Sequence, residues 1–465
     1  MHLSASFVTV AAILSSAECV SGSVLLPSRR ADKPSNPAPL IATEYGTIYD
    51  VEVQFGNQSF MLLVDTGSSD TCVLQTGCQC INSSDNLALP RATCNYASTY
   101  DLPSTLQTER NKTFGVKYGT GIATGLVAYE NLTMGGITVA KQTVGIVNST
   151  NDIGDGLQSG LLGLAYPQLT SAHPGTNYPN DSLITNRSIY NPLMQSMSEQ
   201  SLIEPWFSLA LNRLSANVST GDGGYMGLGK LPPVHHSEEW AVVPVEISES
   251  IPDFLYQNSK PVLTWWTLTV DAVTWGPAAA STNTSYALST VLTSNTTTNS
   301  TAFQAVVDSG NPRNVLPKKL ADQINGAFDP PAVYDEERDA FIVGCDARAP
   351  ALGLVIGGKT FWHDQRDLIV WAKDGICTSS IGATQPALGI EVHFLGDAFL
   401  KNVVSVFDFG KNEMKYAARI YENNATDGGK GNGDPTLVTS EGQGLSVSRS
   451  TGYAALLAFL SFIIL

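Results

Sequence analysis

Apolar and polar positions along this chain fall mainly into short runs. Residues 48–55, 113–118, 139–147, 267–274 and 403–409 mix β-branched with aromatic side chains and are broken by Gly, Asn and Asp. That is the pattern of strands joined by tight turns. Helical periodicity is confined to 182–200 and 318–327, so the pattern predicts a mostly β protein. Two apolar runs stand apart at the ends. Residues 7–17, with Ser15 and Ala17, or Val20 and Gly22, as cleavage positions, read as an export signal over 1–22, too short to hold a bilayer as an anchor. Residues 453–465 are apolar and follow a polar spacer and the small residues Ser440, Gly442 and Gly444. Small site, spacer and tail are the arrangement of a GPI-anchor signal, here 450–465, with attachment expected at Ser440 or Gly442. The Gly- and Ser-rich 421–449 then reads as a flexible stalk.

Between these ends the pattern repeats. Leu62-Leu63-Val64-Asp65-Thr66-Gly67 is followed by Leu161-Leu162-Gly163, and Ala305-Val306-Val307-Asp308-Ser309-Gly310 by Phe394-Leu395-Gly396. Each half has an apolar strand ending in Asp-Thr/Ser-Gly and a later apolar-apolar-Gly element, which predicts two lobes of related design. The expected lobes are 31–230 and 231–420, joined near 221–243. The short Pro-rich 23–30 ends in Arg29-Arg30, a dibasic processing site ahead of the mature chain.

Composition narrows the classes. Of 465 residues, 43% are hydrophobic, enough for a large core, and the net charge of −16 repels nucleic-acid phosphates. Seven cysteines become six once Cys19 leaves with the signal, an even number in an exported chain. Cys345 and Cys377 stand alone in the second half and are expected to pair. Cys72, Cys78, Cys80 and Cys94 allow three pairings, although a direct Cys78–Cys80 bridge would be strained. No spacing of Cys or His suits a metal. Twelve Asn-x-Ser/Thr sequons, Asn57 to Asn424, predict a heavily glycosylated surface.

The two Asp-Thr/Ser-Gly motifs lie 243 residues apart and carry the chemistry. A lone Asp-Ser-Gly is ordinary turn chemistry, but two copies, each closing an apolar strand, suit a carboxylate pair. Two carboxylates sharing one proton can activate water and protonate a carbonyl together, since like charges at close range cannot both ionise. The glycines, Gly67 and Gly310, let the two backbones approach. The Thr66 and Ser309 hydroxyls are expected to hold the carboxylates.

These motifs resemble the pepsin family of aspartic proteases, and in particular its fungal GPI-anchored, yapsin-like members. The matching residues are Val64-Asp65-Thr66-Gly67-Ser68-Ser69, Tyr118-Gly119-Thr120-Gly121, Gly160-Leu161-Leu162-Gly163-Leu164-Ala165-Tyr166-Pro167, Val307-Asp308-Ser309-Gly310 and Leu395-Gly396-Asp397-Ala398-Phe399. The resemblance, over about 47–418, implies a bilobal β fold with an active-site cleft between related lobes. It implies Asp65 and Asp308 as the catalytic pair, Ser68 supporting Asp65, and a flap whose Tyr118, Gly119 and Thr120 meet the substrate. It also implies a Cys345–Cys377 disulfide and no cofactor. The partners implied are polypeptide substrates, with the membrane reached through the lipid anchor and the protein a monomer at the cell surface.

Three positions depart from the family pattern. Asn311 stands where a Thr or Ser usually supports the second aspartate, Cys72 where a Trp usually bonds the flap tyrosine, and the pro-segment is short. A catalytically weak or inactive pepsin-like glycoprotein with a cell-wall or adhesion role would also suit the sequons, the anchor and Asn311. Such a protein would need neither aspartate.

Overall fold

The computed structural model describes residues 37–82, 87–118, 121–151, 154–175, 187–215, 218–278, 296–371, 375–385 and 391–421. The expected signal, pro-segment and GPI tail, nearly all of the stalk, Ser440 and Gly442 lie outside the described residues, as do Gly119 and Thr120. Of the twelve sequons, Asn57, Asn111, Asn131 and Asn148 are exposed and Asn82 and Asn299 half-buried; the other six lie outside the described residues.

Alternation sets the strands. In Ile48–Phe55, Tyr49, Val51, Val53 and Phe55 are buried while Glu52 is exposed. That strand turns at Gly56 (φ 59°) into Gln58–Asp65, and Phe55, Phe60 and Tyr100 pack ring against ring at 5.9–6.0 Å. Burying such apolar faces supplies the main stabilisation of each sheet. Ala38–Thr43 pairs with Ile48–Phe55 on one side and Gly221–Leu228 on the other. Beyond it come Trp206–Leu211, Val403–Asp408, Glu413–Arg419 and His236–Pro244. The start, middle and end of the described chain thus meet in one sheet.

The duplicated motif reappears as duplicated topology. Gln58–Asp65 runs parallel to Gly160–Gly163, with Asp65 opposite Gly163; Phe303–Val307 runs parallel to Phe394–Leu395, with Val307 opposite Leu395. Each aspartate therefore sits at the end of a buried strand on the same side of its own apolar-apolar-Gly partner. Between the halves lies Trp266, fully buried, whose Nε1 donates to Leu164 O (2.9 Å) and whose ring meets Tyr166 at 4.9 Å and Phe407 at 5.2 Å.

Several expected elements shift. Of the helix expected over 182–200, residues 182–186 lie outside the described residues, and among the described ones the helix runs from Leu193 to Glu199; Pro192 disfavours helical geometry in the residue before it. The strand expected over 267–274 is two strands in different sheets, Thr267–Val270 and Ala272–Ala278. They break at Asp271, whose N–H goes to Val355 O (2.8 Å) and whose carboxylate accepts from Gly358 N (3.2 Å). The helix expected over 318–327 forms as Lys318–Asn325, with Leu320, Ala321 and Ile324 turned inward. Cysteine parity overstates the bonding: Cys80 pairs with Cys94 and Cys345 with Cys377, while Cys72 and Cys78 remain buried thiols.

Candidate active site

The two Asp-Thr/Ser-Gly loops meet head to head. A Cβ placed on Gly67 would lie 2.6 Å from Asp308 Oδ1, and one on Gly310 would lie 2.7 Å from Asp65 Oδ1. Each glycine thus leaves room for the carboxylate of the opposite loop, which is the close approach that requires glycine at both positions. The Thr66 and Ser309 hydroxyls do not hold the carboxylates. They cross between the loops: Thr66 Oγ1 donates to Val307 O (2.8 Å) and accepts from Ser309 N (2.9 Å). Ser309 Oγ donates to Val64 O (2.8 Å) and accepts from Thr66 N (3.1 Å). Buried backbone groups need partners, and here each loop satisfies the other's.

The carboxylates differ in support. Asp65 is buried and accepts from the Gly67 N–H (2.8 Å) and from the Ser68 hydroxyl. Asp308 is half-buried and accepts from the Gly310 N–H (2.9 Å). Burial raises both pKa values, and the neighbouring Asp65 raises that of Asp308 further, well above the usual carboxylate range. Donors favour the ionised form. The better supplied Asp65 therefore carries the charge and Asp308 the shared proton, the two titrating as a unit.

Around this pair the other sequence-predicted residues take several places. Tyr118 ends the Gln107–Lys117 strand, and its N–H donates to Gly121 O (2.6 Å), closing a hairpin with Ile122–Met134. Its hydroxyl is buried beside the Cys72 thiol, and burial first, then Cys72, Asp70 and Asp65, push its pKa well up. Burial likewise pushes the Cys72 thiol up to about 12, so it stays protonated. Asn311 is buried, and its Oδ1 accepts the Arg313 N–H (3.0 Å), a local turn that shapes the loop after Gly310.

Two acidic groups near the pair were not singled out by sequence reasoning. Asp70 is fully buried, and its Oδ1 accepts from Ser171 N (2.9 Å) and from the Tyr190 hydroxyl. Asp397 is fully buried with neither carboxyl oxygen in a hydrogen bond, and its pKa is raised well above the usual range, first by burial. Its place in Leu395-Gly396-Asp397 was legible, but its burial was not.

A family model described as eukaryotic aspartyl protease matches residues 48–419. The chain is 33% identical over 394 residues to a probable aspartic-type endopeptidase of Aspergillus fumigatus, covering 83% of this chain and 81% of that one. It is 25% identical over 384 residues to rhizopuspepsin of Rhizopus chinensis, covering 81% and 80%. The crystal structure of an aspartic proteinase from Irpex lacteus shares the fold at a TM-score of 0.57 and 18% identity, covering 84% of this chain and 99% of that one. A duplicated aspartate loop, its reciprocal hydroxyl lattice and these matches agree: this chain belongs to the eukaryotic aspartyl protease family, the pepsin-like aspartic endopeptidases.

Proposed function

We propose that this enzyme is an exported acid endopeptidase, of the GPI-anchored yapsin-like type, in which Asp65 and Asp308 activate a water molecule against a peptide carbonyl. The observation that carries the reading is the mutual approach of the two carboxylates across Gly67 and Gly310. Ionised Asp65 takes a proton from water, and protonated Asp308 donates to the carbonyl oxygen as the tetrahedral species forms. Collapse of that species returns a proton to the leaving amine, and the pair regains its single shared proton. In this reading Tyr118 and the hairpin that its N–H closes lie over the substrate, and Gly119 and Thr120, which lie outside the described residues, are carried over as substrate contacts from the family resemblance alone.

Acid conditions suit the fold as well as the chemistry. Asp50 faces Asp155 and is fully buried, and burial raises its pKa and that of Asp397 well above the usual value. An unfolded aspartate titrates near 3.9. Between that value and the raised one, the folded state holds more protons, so stability falls as pH rises. A fold built on neutral carboxyls is therefore favoured in acid. The expected export signal, sequons and anchor support a glycosylated enzyme displayed at the cell surface, with polypeptides as substrates. The test is hydrolysis of an unfolded protein near pH 4. Cleavage abolished by pepstatin supports the reading; cleavage that pepstatin leaves intact contradicts it.

A further inference from the structure

The two halves secure the peptide behind their aspartate in different ways. In the N-terminal half the Gly163 N–H goes to a backbone carbonyl, that of Asp70 (2.8 Å). In the C-terminal half the corresponding N–H, of Gly396, goes to a side chain, Asn314 Oδ1 (3.0 Å). The far end of that amide, Nδ2, meets His363 Nε2 at 2.9 Å, and His363 Nδ1 faces Leu352 O at 3.3 Å. A backbone N–H can only donate, so Asn314 must present its oxygen to Gly396 and its NH2 to the imidazole. His363 Nε2 must then accept, and the ring proton sits on Nδ1, donating to the Leu352 carbonyl.

The chain of bonds ends on the aspartate. The Gly396 N–H and the Leu395 carbonyl belong to one peptide group, and that carbonyl accepts the Asp308 N–H (3.0 Å). There is no slack: a Cβ on Gly396 would lie 2.1 Å from Asn311 O and 2.4 Å from Arg313 O. His363 and Asn314 are both buried, at 1% and 0% exposure. We propose that His363 and Asn314 are positioning residues for Asp308, and that their relay holds only while the imidazole is neutral. This rests on the assignment of Asp308 to the catalytic pair.

An imidazolium has no acceptor nitrogen, so its Nε2–H would oppose the Asn314 NH2 and release the peptide behind Asp308. Burial lowers the His363 pKa to about 4. The charged groups facing the ring are Asp367 and Arg213, which act on it in opposite senses and bind each other at 2.9 and 2.8 Å. Asp364, the next residue, pairs with Arg366 (2.7 Å), and the Phe399 ring lies 6.2 Å from the imidazole. The relay therefore stays intact through mild acid and fails below about pH 4, where it adds its own decline to the acid limb of activity.

The test is kcat and KM against pH, between about 2.5 and 6, for the wild type, His363→Gln and Asn314→Leu. Glutamine keeps a carbonyl acceptor for Asn314 and does not titrate. His363→Gln is expected to keep kcat at pH 5 within about twofold and to move the acid decline down by half a pH unit or more. Asn314→Leu leaves the Gly396 N–H unpaired and is expected to lower kcat about tenfold with KM within about twofold, since a small shift of a reacting group is felt in the rate. Superimposable profiles for wild type and His363→Gln, or a wild-type kcat in Asn314→Leu, overturn the proposal. Should Asn314→Leu not fold, nitrogen NMR of the wild-type histidines decides: a neutral Nδ1–H ring persisting to about pH 4 supports the relay, and an Nε2–H ring or titration near 6.5 overturns it. An Asp308→Asn variant separates the two levels. If it retains activity, the catalytic assignment fails; if it is inactive while the His363→Gln profile is unchanged, only the relay fails.

Discussion

Replacing Gly310 by alanine isolates the geometry on which the catalytic assignment stands. The backbone at Gly310 does not lie in the left-handed region, so alanine is tolerated by the chain itself. The added Cβ would lie 2.7 Å from Asp65 Oδ1 and 3.0 Å from its Cγ, against about 3.4 Å for an ordinary contact, so the carboxylate must yield by about 0.7 Å. That motion pulls Asp65 against the Gly67 N–H (2.8 Å) and the Ser68 hydroxyl that hold it. A displacement near 1 Å costs about 100-fold in rate. Gly310→Ala should therefore lower kcat about 10- to 50-fold, or about 1.4–2.3 kcal/mol in the barrier. Stability should change by less than about 2 kcal/mol, since the restriction of the unfolded chain by alanine offsets part of the strain of displacing Asp65. The assay is kcat and KM near pH 4 beside urea unfolding. Gly382→Ala serves as control, because its Cβ would meet only Val315 Cγ2 at 3.4 Å and Asn314 O at 3.9 Å. A kcat within twofold of wild type would refute the close approach of the carboxylates, and a loss matched by an equal loss of folded stability would refute its attribution to the pair.

Other expectations are simpler. Thr66→Val strips the partner from Val307 O and Ser309 N, both buried, and should lower the unfolding free energy by about 2–5 kcal/mol in urea titration; a change under 1 kcal/mol contradicts the interlobe lattice. In protein lacking residues 1–22, Cys72 and Cys78 should resist a thiol reagent at pH 8, because burial pushes both pKa values up to about 12, and two thiols should appear on unfolding without reductant. Four thiols, or none, would contradict the pairing. Deleting residues 453–465 should release soluble enzyme into the medium; a full-length protein already soluble and free of lipid by mass spectrometry removes the anchor.

What the sequence revealed was what local pattern encodes. The strand ending in Asp65 and its counterpart ending in Asp308 were legible because apolar runs and Asp-Thr/Ser-Gly turns are written within six residues. The parallel partners of those strands were legible only through repetition, since nothing local pairs Leu63 with Leu161. Hydroxyl roles were not legible: Thr66 could serve its own carboxylate or the opposite loop, and only the facing geometry chooses. The Cys345–Cys377 pair was legible, but the choice among Cys72, Cys78, Cys80 and Cys94 stayed open for a similar reason. Cys78 and Cys80 share the buried face of one strand, and only Cys80 meets Cys94. His363 and Asn314 are 49 residues apart, and no periodicity links them.

The central claim is that two carboxylates share the work of one acid and one base. The measurement that tests it most directly is kcat near pH 4 for purified Asp65→Asn and Asp308→Asn, each beside the wild type on the same unfolded substrate. Neither amide can exchange the proton that its partner requires. The account predicts that each variant alone loses about three orders of magnitude or more while keeping wild-type folded stability within a few kcal/mol. Turnover near the wild-type rate by either variant contradicts it.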